Sequence, residues 1–243
     1  MRTLSLIVAV TLGSTAFAGD VGTGAISGVV RLSGPVPSVP FFTSEPDLEI
    51  CGTQPRPLQS LVLGTNQAVR DAVVYLGAVG ANGRHAASDG LAVLDQLDCE
   101  FVPRIQIAHS GAMLTVRNSD PVLHVVRLES LSGTNGPTPL LNLAMPYAGD
   151  EKKLKLASSK EPMLLKATCG NGHAWMVAYL AVMPHTWAAM TDEYGRFTSS
   201  RVPPGAYKLF AWHEVLGTLV REIKVSSGRA TNVDLEFTST VRK

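Results

Sequence analysis

Met163-Leu164-Leu165-Lys166-Ala167-Thr168-Cys169-Gly170-Asn171-Gly172-His173-Ala174-Trp175-Met176-Val177-Ala178-Tyr179-Leu180-Ala181-Val182 is the stretch on which the reading of this chain turns. An apolar run leads into a short loop and a second apolar run follows. In the second run Trp175, Val177, Tyr179 and Ala181 alternate with Met176, Ala178, Leu180 and Val182. A period of two is the signature of a strand. The loop between the two runs carries a thiol, an imidazole and a thioether in eight residues, and no other cluster in the sequence suggests chemistry so directly.

The same periodicity extends outward in both directions. Ile26, Gly28, Val30 and Leu32 alternate with Ser27, Val29 and Arg31 until Gly34-Pro35 ends the run. Ala72, Val74 and Leu76 alternate with Val73 and Tyr75, and His124, Val126 and Leu128 share one face of a further strand. Ile105 and Ile107, then Leu114 and Val116, flank His109-Ser110-Gly111, which reads as a hairpin. Residues 129–162, with Gly133, Gly136, Pro137, Pro139, Pro146 and Gly149, read as a long excursion. A turn or two of helix fits near residues 88–97.

Beyond 182 the turns become regular. Thr191 to Phe197 is a strand, a tight turn and a strand restart, and Val202-Pro203-Pro204-Gly205 predicts a type II turn with a positive φ at the glycine. Tyr207–His213, Leu219–Val225 and Asn232–Phe237 complete the set. Many short strands punctuated by Gly and Pro predict an all-β sandwich architecture.

Residues 1–18 read as a secretory signal: Arg2, an apolar core from Leu4 to Leu12, and the small-x-small pattern Ala16-Phe17-Ala18. The apolar run is too short for a spanning helix, so no membrane insertion of the mature chain is expected. The predicted location is exported: periplasm, extracellular space or cell surface. The full chain of 243 residues carries a net charge of +1, and removing the leader makes it neutral. Without a basic block, nucleic acid is not an expected partner.

Three cysteines in an exported chain leave one over. Cys51 and Cys99 are paired here as a disulfide, which an oxidising compartment favours; closing such a loop is worth roughly 3–4 kcal/mol. Cys169 is then buried and inert, intermolecular, or held by a metal. A thiolate with two imidazoles and a weak thioether is the donor set of mononuclear electron-transfer copper. His124, at the start of its strand after Asn118-Ser119-Asp120-Pro121-Val122-Leu123, is the second imidazole that the Cys169 loop requires. The thioether favours copper over zinc.

These motifs resemble known families. Residues from about 100 to 182, with Asn118-Ser119-Asp120, His124 and Cys169…His173…Met176, resemble a cupredoxin domain. Residues 186–237 resemble a carboxypeptidase-regulatory or transthyretin-like β-sandwich; the markers are Thr191-Asp192…Gly195-Arg196-Phe197, Val202-Pro203-Pro204-Gly205-Ala206-Tyr207 and Ala211-Trp212-His213-Glu214. The resemblance implies a signal peptide (1–18), a cupredoxin-like Greek-key sandwich with an N-terminal strand extension (19–182) and a small transthyretin-like sandwich (183–243). It further implies a type 1-like copper site of His124, Cys169, His173 and Met176, with one-electron transfer through the His173 edge or copper holding, and a redox or copper-exchange protein as partner. Close relatives place two residues between Cys and His and a Pro after the His, where this chain has Gly170, Asn171, Gly172 and then Ala174. They also carry His where this chain has Arg104 and Arg127.

The rival is a structural or adhesive β-sandwich of the envelope with no working metal site, and a third reading makes Trp175, Trp187 and Trp212 a glycan platform. His185 and His213 are weaker ligand candidates, and His85 and His109 read as solvated. No enzyme activity is expected. Ser119, Asp120 and His124 suggest a triad, but no nucleophile elbow accompanies them, and no phosphate-binding glycine loop is found.

Overall fold

Alternation in the sequence becomes strand in the structure almost throughout. The computed structural model describes residues 22–39, 41–42, 47–53, 56–57, 60–77, 91–132 and 136–239. The expected leader and His85 lie outside the described residues. In chain order the elements are β1 (Gly24–Ser33), β2 (Phe41–Phe42), the one-turn helix α1 (Leu48–Cys51), β3 (Arg56–Pro57), β4 (Val73–Leu76), β5 (Ala92–Leu97) and β6 (Glu100–Val102). They continue with β7 (Ile105–His109), β8 (Met113–Asn118), β9 (His124–Ser130), β10 (Thr138–Met145), β11 (Glu151–Lys155), β12 (Met163–Cys169) and β13 (Val177–Met183). The last are β14 (Ala188–Met190), β15 (Arg196–Val202), β16 (Gly205–His213), β17 (Gly217–Val225), β18 (Ala230–Asn232) and β19 (Leu235–Thr238).

Two sandwiches result, and the chain is all-β as expected. The first packs the sheet β10-β9-β12-β13-β7 on the sheet β11-β8-β5-β6. Its core includes Leu94, Leu114, Val116, Val126, Leu128, Leu165, Leu180 and Val182. The chain changes sheet after β6, β7, β8, β10 and β11, a Greek-key path of the cupredoxin-like kind. The second packs β15-β1-β18, with β19 also on β1, against β14-β4-β16-β17. Ile26, Val30, Leu76, Trp187, Phe197, Leu209 and Phe237 fill it.

Several expectations are corrected. The residues flanking His109-Ser110-Gly111 are not a hairpin: β7 pairs in parallel with β13, while β8 pairs with β5 and β11, so this turn is an arch between sheets. The excursion at 129–162 holds two edge strands, β10 on β9 and β11 on β8; β10 hides its Leu141, Leu143 and Met145 side among prolines and polar residues. Residues 92–97 are strand rather than helix. Gly205 is not left-handed; a side chain there would meet the Tyr207 ring at 3.3 Å, and Tyr207 donates its hydroxyl to Pro203 O at 2.9 Å. Division at residue 182 also cuts through two sheets. β1 and β4, early in sequence, bond to β15, β18 and β19 and to β14 and β16.

The two sandwiches meet along β13 and β4. Burial runs almost unbroken in both strands, the pattern of a strand covered on both faces. In β13, Ala178, Leu180 and Val182 face the first core, while Tyr179, Ala181 and Met183 pack with Val73, Tyr75, Ile105 and Trp212. At the rim, Arg104 pairs with Glu214, which Tyr179 also contacts. Burial raises the Glu214 carboxyl above the usual carboxylate range even against the opposing pull of Arg104 and Tyr179.

Breaking this pair from one side leaves the half-buried Arg104 guanidinium without its counter-charge. Glu214→Ala is expected to destabilise the protein by about 3 kcal/mol, read by urea denaturation. Arg104→Met together with Glu214→Leu is expected to recover most of the loss; a neutral Glu214→Ala would contradict this account of the seam.

Candidate metal centre

Four elements converge at one end of the first sandwich. His124 is the first residue of β9 and Cys169 the last of β12, the strand beside it in the sheet. His173 follows in the loop to β13, whose closure rests on three backbone bonds: Gly170 N to Val125 O at 2.7 Å, Met176 N to His173 O at 3.0 Å and Cys169 N to Met176 O at 3.3 Å. Asn171 donates its side-chain amide to Leu123 O at 2.9 Å. Gly172 takes φ of +90°, which only glycine adopts cheaply. At Gly170 the exposed Arg127 side chain packs on the loop, its Nε 2.6 Å from where a Cβ would stand.

His124 and His173 are fully buried and Cys169 nearly so. Their ligand atoms form a small triangle. His124 Nδ1 and His173 Nδ1 are 3.1 Å apart, and Cys169 Sγ lies 3.8 Å from the first and 3.6 Å from the second. A point equidistant from atoms so spaced is about 2 Å from each, close to metal–imidazole and metal–thiolate bond lengths. Met176 is buried in the same core as Cys169 and Trp175.

The outer nitrogens are both held by carboxylates. His124 Nε2 is 2.9 Å from Asp120 Oδ2, and His173 Nε2 is 3.0 Å from Asp47 Oδ2. A carboxylate accepts, so each ring donates its proton at Nε2 and turns a bare Nδ1 inward. Two inward lone pairs at 3.1 Å repel unless a proton or a metal ion lies between them. Carboxylates behind metal-binding imidazoles fix the tautomer and raise ligand basicity.

The titration behaviour agrees. Burial pushes the Cys169 thiol up, but His124, His173 and the backbone at Val125 and Asn171 outweigh it and bring the thiol down to about 6. For His124, burial lowers the imidazole, while Cys169 and Asp120 more than restore it, leaving a net upward shift. Both shifts move the Cys169–His124 pair toward its charged form, and a metal ion held there would compete with protons for the same atoms.

Asp120 also accepts backbone N–H groups from Asp98 at 2.8 Å and Cys99 at 2.9 Å. Asp98 and Cys99 both have φ near +55°, the two-residue hairpin geometry between β5 and β6. Asn118, fully buried, donates to Val122 O and Met145 O and accepts from Asp120 N. Ser119 donates to Asp95 at 2.8 Å, so its hydroxyl is committed away from His124. The Cys51–Cys99 disulfide is present, and Cys169 is the free, buried cysteine.

Among the described residues a second group, Cys99, Asp120 and His124, also lies close together, but the Cys99 sulfur is in the disulfide. His109, expected to be solvated, is half-buried with its Nδ1 covered and unpartnered among the described residues, and His185 and His213 are structural. His185 donates to Leu76 O at 3.0 Å, and burial lowers its pKa. His213 accepts from Val215 N at 3.3 Å, and burial with the Arg104 charge lowers it to about 4. Trp175, Trp187 and Trp212 are buried, which removes the glycan platform built on them. His173 is fully buried, with the Asp47 carboxylate against its Nε2, so the edge through which an electron was expected to pass is covered. Asp47 had no signal in the sequence, whereas Asp120 stands four residues before His124.

Residues 186–233 match the family model of polysaccharide lyase family 4, domain II. No curated protein matches the chain. Among solved structures it is similar to a purple cupredoxin from Nitrosopumilus maritimus, 20% identical over 38% of this chain and 99% of that one, with a TM-score of 0.30. A copper-containing nitrite reductase from Thermus scotoductus is 17% identical over 44% of this chain and 24% of its own, with a TM-score of 0.31. An amicyanin variant is 17% identical over 45% and 98%, with a TM-score of 0.31.

In metal-free protein the ultraviolet thiolate absorbance is expected to rise with a midpoint near 6 and to vanish in Cys169→Ser. Because the folded state lowers this thiol, the stability it contributes is complete only above the unfolded thiol's range, about 8.5. That contribution fades as pH falls through about 6. A midpoint in the ordinary thiol range would contradict the arrangement.

Proposed function

We propose that the protein binds a single copper ion in a type 1-like site and serves in one-electron transfer or copper holding outside the cytoplasm. The observation that carries this reading is the buried triangle of His124 Nδ1, His173 Nδ1 and Cys169 Sγ. Copper held by His124, His173 and Cys169, with Met176 proposed as a weak fourth donor, would supply a Cu(I)/Cu(II) couple tuned by the sulfur ligands. His124 and His173 give neutral nitrogens, Asp120 and Asp47 hold the rings, and the surrounding core keeps water away. The closed His173 edge favours holding over rapid exchange of electrons with a docked protein. A copper-exchange or redox protein is the proposed partner.

The Cys51–Cys99 disulfide suits an oxidising compartment, and with the leader it supports export. The second sandwich is proposed as a carboxypeptidase-regulatory or transthyretin-like module that braces the first. No catalytic step is assigned to the chain. A purely structural sandwich leaves unexplained why two imidazoles and a thiol converge in a buried pocket, each ring backed by a carboxylate.

Purified protein is expected to take up one equivalent of Cu(II) with an intense visible thiolate-to-copper band, absent from Cys169→Ser. Protein that stays colourless and whose thermal stability copper leaves unchanged would overturn the proposal.

A further inference from the structure

The route by which Asp47 reaches His173 is unusual. Asp47 precedes α1 in the left-handed conformation, φ 56°, and its carbonyl accepts the N–H groups of Ile50 and Cys51 at 2.9 and 2.8 Å. Cys51 is bonded to Cys99, and the Cys99 amide holds Asp120. One covalent bond thus joins the segment carrying the His173 anchor to the turn that grips the His124 anchor. The clip also lies against the ligand itself: Cys51 Sγ is 3.8 Å from His173 Nε2. Trp175, its ring 5.1 Å from His173, donates Nε1–H to Cys99 O at 2.8 Å. Asp47 is the solvent-facing part of this wall, its side chain 34% exposed, while His173 behind it is fully covered.

We propose that Asp47 is a positioning residue for His173, and that the Cys51–Cys99 disulfide holds it there as a cap over the metal pocket. The inference rests on the copper reading for its purpose but not for its geometry. Without the Asp47 carboxylate, the ring loses the partner that keeps its proton at Nε2, and the bare Nδ1 no longer points inward by default. Without the disulfide, α1 loses its cross-link to the β5–β6 turn, and Asp47 loses the tie that fixes it over the ring.

The test uses the full chain in two arms. In metal-free protein, nitrogen NMR of the His173 ring in mildly alkaline buffer is expected to show one tautomer, protonated at Nε2. Asp47→Ala is expected to give a tautomer mixture, while Asp47→Asn, which keeps an acceptor oxygen, retains the wild-type form. Cys51→Ala with Cys99→Ala is expected to reproduce the Asp47→Ala spectrum; Asp47→Ala, at an exposed carboxylate, tests the positioning role without touching the disulfide. In copper-loaded protein, loss of the ion to a chelator is expected to quicken about ten- to a hundred-fold in Asp47→Ala. An unchanged His173 tautomer in Asp47→Ala would overturn the positioning role, and an unchanged tautomer in the folded double-cysteine variant would overturn the clip. Wild-type protein that takes up no copper would sink the copper reading alone, because the first arm needs no metal.

Discussion

Two carboxylates turn two buried imidazoles the same way round, and most of what is distinctive in this molecule depends on that constraint. Asp120 and Asp47 accept hydrogen bonds from the outer ring nitrogens of His124 and His173. The inner nitrogens are left facing each other, with the Cys169 sulfur beside them. In a buried pocket such an arrangement is unfavourable alone, because lone pairs repel and a thiolate needs a counter-charge. A proton or a metal ion between them would relieve it, and the spacing suits a soft cation. The lowered thiol and the raised His124 imidazole have the same origin.

The rest of the fold holds those two carboxylates still. Asp120 hangs from the β5–β6 turn by two backbone N–H groups and is braced by Asn118. Asp47 is held by the turn of α1 and the disulfide at its end. The second sandwich covers the outer face of β13, the strand that closes the Cys169 loop, with Tyr75, Val73 and Trp212. A strand buried on both faces cannot slip register without placing its residues on the wrong side, and that fixes one wall of the loop.

Strand periodicity made much of this legible in the sequence. The alternation in 175–182 matches the two packed faces of β13, and the odd cysteine count left Cys169 unpaired as observed. Local patterns were blind to partners distant in sequence. The His109-Ser110-Gly111 turn has hairpin chemistry, yet β7 finds β13 and β8 finds β5, because sheet order is decided by long-range packing. β10 was hidden by its edge position, where prolines and polar residues are tolerated. β1 gave no sign that it would join strands 165 or more residues later. In the pocket, the loop motif named the sulfur and one ring, and the strand start named the other. Asp47 sits in a stretch without periodicity, and the disulfide across to Cys99 ties that stretch to the pocket.

The central claim is that a single ion is bound by one sulfur and two imidazole nitrogens. X-ray absorption at the copper edge of the loaded protein measures this most directly. The account predicts one short sulfur contact together with two imidazole nitrogens at about 2.0 Å. A spectrum with nitrogen and oxygen neighbours only, and no sulfur, would contradict it.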